Sequence, residues 1–219
     1  MVTVDKTPLP EGVTIKSEAD YRSGPVFDLL QKDCRSKCYL CEDKYLTAIN
    51  VEHRVSHRGD PVLKFDWNNL FLSCGHCNQT KGTAFDDIID PVNVNPEEYI
   101  ELAMTIADTD DLRERVIVSK TAGSEERHDV DTTIRLLERV YNEGTTAMKQ
   151  AECRALKNKI LKEVSRFRML IYGYEEEKDS DYHSNIVEAI SRSSVFAAFK
   201  RKMIRDDPQM AHQFAEALR

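Results

Sequence analysis

Two cysteine pairs dominate the first half of the chain: Cys38 and Cys41 in CYLC, and Cys74 and Cys77 in CGHC, with 32 residues between the pairs. Each Cys-x-x-Cys pair turns two thiolates towards one point, and two pairs complete the tetrahedral four-sulfur shell that zinc prefers. A lone pair would read as a redox site or as buried packing; two pairs predict a structural zinc site. The interval exceeds the shortest zinc-ribbon spacings, so something folded is expected to fill it. A segment this small has little core of its own, and bound zinc would contribute on the order of 10 kcal/mol to its folding. Cys34 and Cys153 fall outside the pattern and read as non-ligands.

The interval holds INVEHRVSHRGD and then FDWNNLFLSC. In chain order stand Cys38 and Cys41, Glu52-His53, Asn69-Leu70, Cys74 and Cys77, and Asn78. That order resembles the HNH endonuclease family, with its ββα-metal finger, from about Lys37 to Gly82, roughly a fifth of the chain. The resemblance implies that Asn69 tethers the loop carrying His53 through a backbone hydrogen bond, with Asn68 taking that role if the register shifts by one. It also implies that Asn78 starts the finger helix and offers a neutral oxygen to a catalytic metal, where many relatives place a histidine. One departure is visible: the proline usual three residues after the histidine is Ser56 here. The longer run KCYLCE…VEHRVSH…FDWNNLFLSCGHCNQTKG, followed by DP and helices, is similar to the HNH subunit of Septu-type anti-phage systems. DTTIRLL and SSVFAAFKRKMIR agree with that likeness. It implies a nuclease effector held by an ABC-type ATPase.

The residue types suit such chemistry on their own terms. Phosphodiester hydrolysis needs an activated water, charge neutralisation at phosphorus and stabilisation of the leaving oxygen. A neutral imidazole can take the water proton, so His53 is the candidate general base. A hard divalent cation prefers oxygen donors, which Glu52 and the Asn78 carboxamide can supply; that set favours Mg²⁺ or Mn²⁺. Adjacent residues on a regular strand face opposite ways, so a strand end or distortion is needed to aim Glu52 and His53 at one phosphate. Arg54, His57 and Lys81 are candidate phosphate contacts, Lys81 on the expectation that it lies near the start of the finger helix. His76 reads as an exposed polar residue, and Trp67 as packing.

The elements expected to position these residues define an α+β chain: a small zinc-stapled ββα-metal finger followed by a largely α-helical body. Residues 1–33 read as an extended lead-in with a short helix at Val26 to Lys32, residues 34–90 as the finger, and residues 91–219 as a helical domain for substrate or partner binding. Short apolar pieces such as LTAINVEH and NLFLSC read as strands. NPEEYIELAMTIA carries Asn95 as a cap and Pro96 at the first helical position, predicting a helix. RERVIVSKTAG reads as a strand, and Asp131 as the cap of TTIRLLERVYN, ended by Gly144. A long amphipathic helix is expected from about Thr146 to Tyr172, with Leu156, Ile160, Val164, Phe167 and Leu170 on one stripe. GYEEEKDSDY reads as a charged loop, Ser184 to Arg205 as one helix, and Pro208 as the start of a short terminal one.

Composition sets limits on partners. Hydrophobic content of 41% and charged content of 32% describe a folded, soluble chain. No apolar run or basic leader predicts a membrane span or signal peptide, so a cytoplasmic location is expected. The net charge of −7 works against nucleic-acid binding, which phosphate neutralisation drives. The charge is uneven, however: Lys149 to Arg168 and Arg192 to Arg205 are strongly basic, a potential duplex cradle. The family resemblance implies DNA as the substrate, with RNA or tRNA sharing the same active site, and a non-catalytic zinc adaptor for a protein partner is the competing class.

Overall fold

The computed structural model describes residues 1–44, 46, 48–106, 114–177 and 179–219. Thr47 and Arg113 of the expected strands, Ala107 of the expected helix and Lys178 of the expected charged loop lie outside the described residues. The fold mixes helices with small two-stranded sheets. Two compact units divide the chain: Met1–Pro96 with Glu125–Leu137, and Glu97–Ser124 with Glu138–Arg219.

In the first unit, α1 (Glu18–Arg22) and α2 (Gly24–Asp33) come first. A capping box starts α1, the Asp20 carboxylate accepting from the Ser17 amide at 2.8 Å. Pro25 sits in the first turn of α2, where its missing N–H costs nothing. The lead-in is less loose than expected. Met1, Val2, Val4 and Tyr21 are buried, and the Val4 amide donates to the Pro91 carbonyl at 2.9 Å. Most of these residues are buried singly from irregular backbone, which leaves no period to read.

Strand β1 (Ile49–His53) pairs antiparallel with β2 (Leu70–Cys74), Glu52 opposite Phe71 and His53 opposite Leu70. Between them lie α3 (Pro61–Phe65) and a 3-10 turn at Trp67–Asn69. Asp60 caps the first and Asp66 the second, each carboxylate accepting a backbone N–H. Helix α4 (Gly75–Lys81) follows β2 directly and stops at Gly82, whose φ of 49° few side chains tolerate. Helices of five and seven residues are too short to announce a period. Tyr21, Val26, Leu30, Trp67 and Leu70 form a core cluster. Trp67 packs as expected, its Nε1 donating to the Thr7 carbonyl at 2.9 Å while the Lys6 ammonium lies 3.5 Å above the ring.

The second unit departs further from the sequence reading. After Asn95 only one 3-10 turn forms, Pro96–Glu98; the chain then becomes β3 (Ile100–Ile106), antiparallel to β4 (Glu114–Lys120). Burial explains the change. Ile100 and Leu102 enter the core at a spacing of two, and Leu102 lies opposite the buried Val118. The division between the units falls within α5 (His128–Tyr141), which starts three residues ahead of the expected cap, leaving Asp131 in its first turn. Helix α6 (Ala147–Glu177) buries Leu156, Ile160, Val164 and Phe167 as expected but runs through the glutamates of the expected loop, which are good helix formers. The single helix expected up to Arg205 is two, α7 (Ser180–Ile190) and α8 (Ala197–Asp206), interrupted near Phe196 with φ 50°. Helix α9 (Pro208–Gln213) is capped by Asp207. The unit's core gathers Phe167, Tyr174, Ile186, Ile190, Ile204, Met210 and Phe214.

One basic run also turns inward. Arg201 is buried against both oxygens of Glu97 at 2.9 Å and donates to the carbonyls of Ile190 and Ala217 at 3.1 Å; Lys200 is buried as well. These two cations belong to the core and are not available to a duplex. No helix among the described residues is long and apolar enough to cross a membrane.

Candidate functional site

The four cysteines of the two pairs come together. Cys38 and Cys41 lie on a tight turn after α2, in which Arg35 and Ser36 both take φ 55° and Glu42 takes φ 63°. The Tyr39 amide donates to the Leu72 carbonyl at 2.9 Å and fastens this turn to β2. Cys74 ends β2 and caps α4, its Sγ accepting from the Cys77 amide at 3.4 Å. All four Sγ atoms lie within 4.8 Å of one another, with Cys41 and Cys74 3.9 Å apart. Zn–S bonds in a tetrahedron require sulfurs about 3.8 Å apart. The cluster fits a structural zinc: four cysteine sulfurs, three of them buried, converge on one point, where a zinc ion would hold them as thiolates and compensate their charge. Cys34 stands beside this group without joining it. Its Sγ accepts from the Leu72 amide at 3.4 Å, and burial pushes its thiol up to about 11.

One face of the same unit carries a cleft of about 400 Å³. Glu52, His53, His57 and Asn78 all line it. His53 is the last residue of β1, and its Nε2 lies 2.9 Å from the Lys64 carbonyl. A carbonyl can only accept, so Nε2 carries the proton and the lone pair of the neutral ring is on Nδ1. Burial holds His53 below its ordinary pKa, partly opposed by the Lys64 carbonyl. The loop that follows is fixed from behind. Asn69 accepts from the Val55 amide at 2.8 Å and donates to the carbonyls of Val55 at 2.8 Å and Leu63 at 3.0 Å. Asn69 is buried and Asn68 exposed, so this tether belongs to Asn69. Asp86 holds the next stretch, accepting from the Ser56 amide at 2.8 Å and from Arg58 at 2.9 Å.

Glu52 and Asn78 bring oxygen donors to one cleft, a set that suits a hard divalent cation. Asn78 lies one turn into α4, not at its start. Glu52 is buried, which raises its carboxyl above the usual range, and Lys81 opposes that shift from 2.9 Å.

The three candidate phosphate contacts separate. His57 lies at the cleft, its ring centroid 4.8 Å from that of His53 and its Nδ1 accepting from the Gly59 amide at 3.0 Å. Arg54 donates to the Ile88 carbonyl at 3.1 Å and lies 3.7 Å from Asp90, away from the cleft lining. Lys81 ends α4 and is wholly buried, so its ammonium faces Glu52 and not a surface phosphate. Among the residues that sequence reasoning gave no site role, or only a passing one, Tyr21 and Arg22 of α1 and Arg58 also line the cleft. Tyr21 meets His53 edge-on at 5.9 Å. No local signal marks the α1 pair, which comes from outside the cysteine frame; Arg58 had a weak one, its place beside His57.

No family profile matches the chain, and no solved structure matches it. Among curated proteins, 73 residues align at 34% identity with the Septu protein PtuB of Bacillus thuringiensis. The aligned segment is 31% of this chain and spans 28% of that relative's length.

Proposed function

We propose that this chain is an HNH-type endonuclease that hydrolyses DNA phosphodiester bonds with Mg²⁺ or Mn²⁺, as the nuclease effector of an anti-phage defence complex with an ABC-type ATPase. The observation that carries the catalytic part is the pairing of the His53 Nε2 with the Lys64 carbonyl, in a cleft shared with Glu52 and Asn78. That pairing orients the ring and leaves Nδ1 as a base. The partial similarity to the Septu protein PtuB supports the role in defence.

In this reading His53 takes a proton from water at Nδ1 while the water oxygen attacks phosphorus, and the bond from phosphorus to the leaving oxygen breaks. Asn69 is a positioning residue that holds the Val55 backbone and with it the loop after His53. A cation held by Glu52 and Asn78 would supply charge neutralisation at phosphorus and at the leaving oxygen. His57 and Arg58, which line the cleft, would meet the flanking phosphate charge. Cys38, Cys41, Cys74 and Cys77 hold zinc and keep β2 and α4 in register with the turn before β1.

The test is nicking of supercoiled plasmid by the zinc-loaded protein, with and without Mg²⁺ or Mn²⁺, beside His53→Ala shown to retain zinc and fold. Cation-dependent nicking is expected, reduced at least 10²-fold in the variant, as loss of a general base requires. Equal nicking by both proteins would overturn the assignment of His53.

A further inference from the structure

Lys81 is the last residue of α4 and has no exposed side-chain surface. Its Nζ lies 2.9 Å from Glu52 Oε1, 3.3 Å from the Gly82 carbonyl and 4.0 Å from Asp86 Oδ1. Glu52 is also buried, its side chain 7% exposed. A buried carboxylate needs a cation beside it, and here a lysine from the neighbouring helix supplies one.

We propose that Lys81 is a resident counter-ion of Glu52 which a divalent cation must displace, so that this lysine sets the cation affinity of the cleft. The proposal rests on reading Glu52 as a cation donor. Mg²⁺ binds carboxylate oxygen at about 2.1 Å, so an ion on Glu52 Oε1 would stand within about 5 Å of an unmoved ammonium. Two cations that close in a buried setting repel strongly. Lys81 has somewhere to go: Asp86, a second carboxylate 4.0 Å from the ammonium. Asp86 also holds the Ser56 amide and Arg58. Movement of the ammonium towards Asp86 would therefore carry cation loading at Glu52 to the loop bearing His57 and Arg58.

The test titrates Mn²⁺ into the zinc-loaded full-length chain, followed by loss of the free-ion electron paramagnetic resonance signal, for wild type, Lys81→Met, Glu52→Gln and the double variant. Lys81→Met should bind Mn²⁺ at least tenfold more tightly than wild type, and both proteins carrying Glu52→Gln should lose that ion. Equal or weaker binding by Lys81→Met, still lost with Glu52→Gln, overturns the counter-ion proposal and leaves Glu52 as a donor. Absence of Mn²⁺ binding in every protein overturns the donor reading and the proposal with it. A second measurement avoids any folding defect: in wild type labelled with ¹⁵N-lysine, Mg²⁺ should shift the Lys81 ammonium resonance. An unmoved resonance at saturating Mg²⁺ overturns displacement.

Discussion

Asn68 and Asn69 are adjacent and chemically identical, yet only one is committed. Asn69 satisfies one backbone N–H and two carbonyls in the interior, while Asn68 is exposed. Asn69→Ala should destabilise the zinc-loaded protein by about 2–3 kcal/mol through buried groups left unpaired, and Asn68→Ala should be near neutral. Urea unfolding of the two variants checks this, and similar midpoints would refute the assignment. Lys6 offers a test by pH. Burial lowers its pKa from 10.5 to about 8, against the carboxylates and the Cys34 thiol around it. Between those values the unfolded chain binds the proton more firmly than the folded one, so stability at Lys6 grows as pH rises through this window and is lost as pH falls to about 8. Relative to Lys6→Met, the wild type should gain about 2 kcal/mol between about pH 7.5 and about pH 9.5; a flat difference would show that Lys6 titrates as an ordinary lysine.

At the scale of elements, what could be read ahead was whatever a short frame encloses. The four cysteines announce their cluster by spacing, and Glu52, His53 and Asn78 reach one cleft because β1, β2 and α4 are joined by close pairing. Tyr21 and Arg22 were illegible as cleft residues, since nothing local ties α1 to His53. The helix expected after Asn95 failed for a related reason: cap chemistry is a local preference, and pairing with β4 overrode it. The cysteine turn itself carries strain, with Arg35 and Ser36 in succession at φ 55°. Such backbone costs a non-glycine residue roughly 1 kcal/mol. Ser36→Gly should therefore raise the stability of the zinc-loaded protein by about that amount in thermal or chemical unfolding, and a loss would mean that the Ser36 side chain matters more than its backbone.

For the whole molecule, the division into two units predicts that they depend on metal differently. The first unit has the cysteine cluster, whereas the second builds its core from α6 to α9. Zinc removal by a strong chelator should unfold the first unit and leave most helical signal of the second. Metal analysis should find one zinc per chain, lost in Cys77→Ser. Hydrogen exchange resolved by segment checks this, with fast exchange expected at Ile49–His53 and Leu70–Cys74 and continued protection in α6. Uniform loss of protection would instead mean that the units fold as one.

The first unit is closed by a segment made late. Thr133 accepts the Ile89 amide at 2.8 Å, and Val130, Leu136 and Leu137 are buried. Translation reaches these residues only after residues 97–124 have been added. At ordinary elongation rates the stretch from 97 to 137 takes roughly 2–8 s. All four thiols leave the ribosome before that interval ends, so the cysteine cluster is free to take up a metal before the unit around it closes. A nascent chain stalled at Leu137, with the closing segment still inside the ribosome, should accordingly bind zinc while its remaining apolar surface stays open to chaperones.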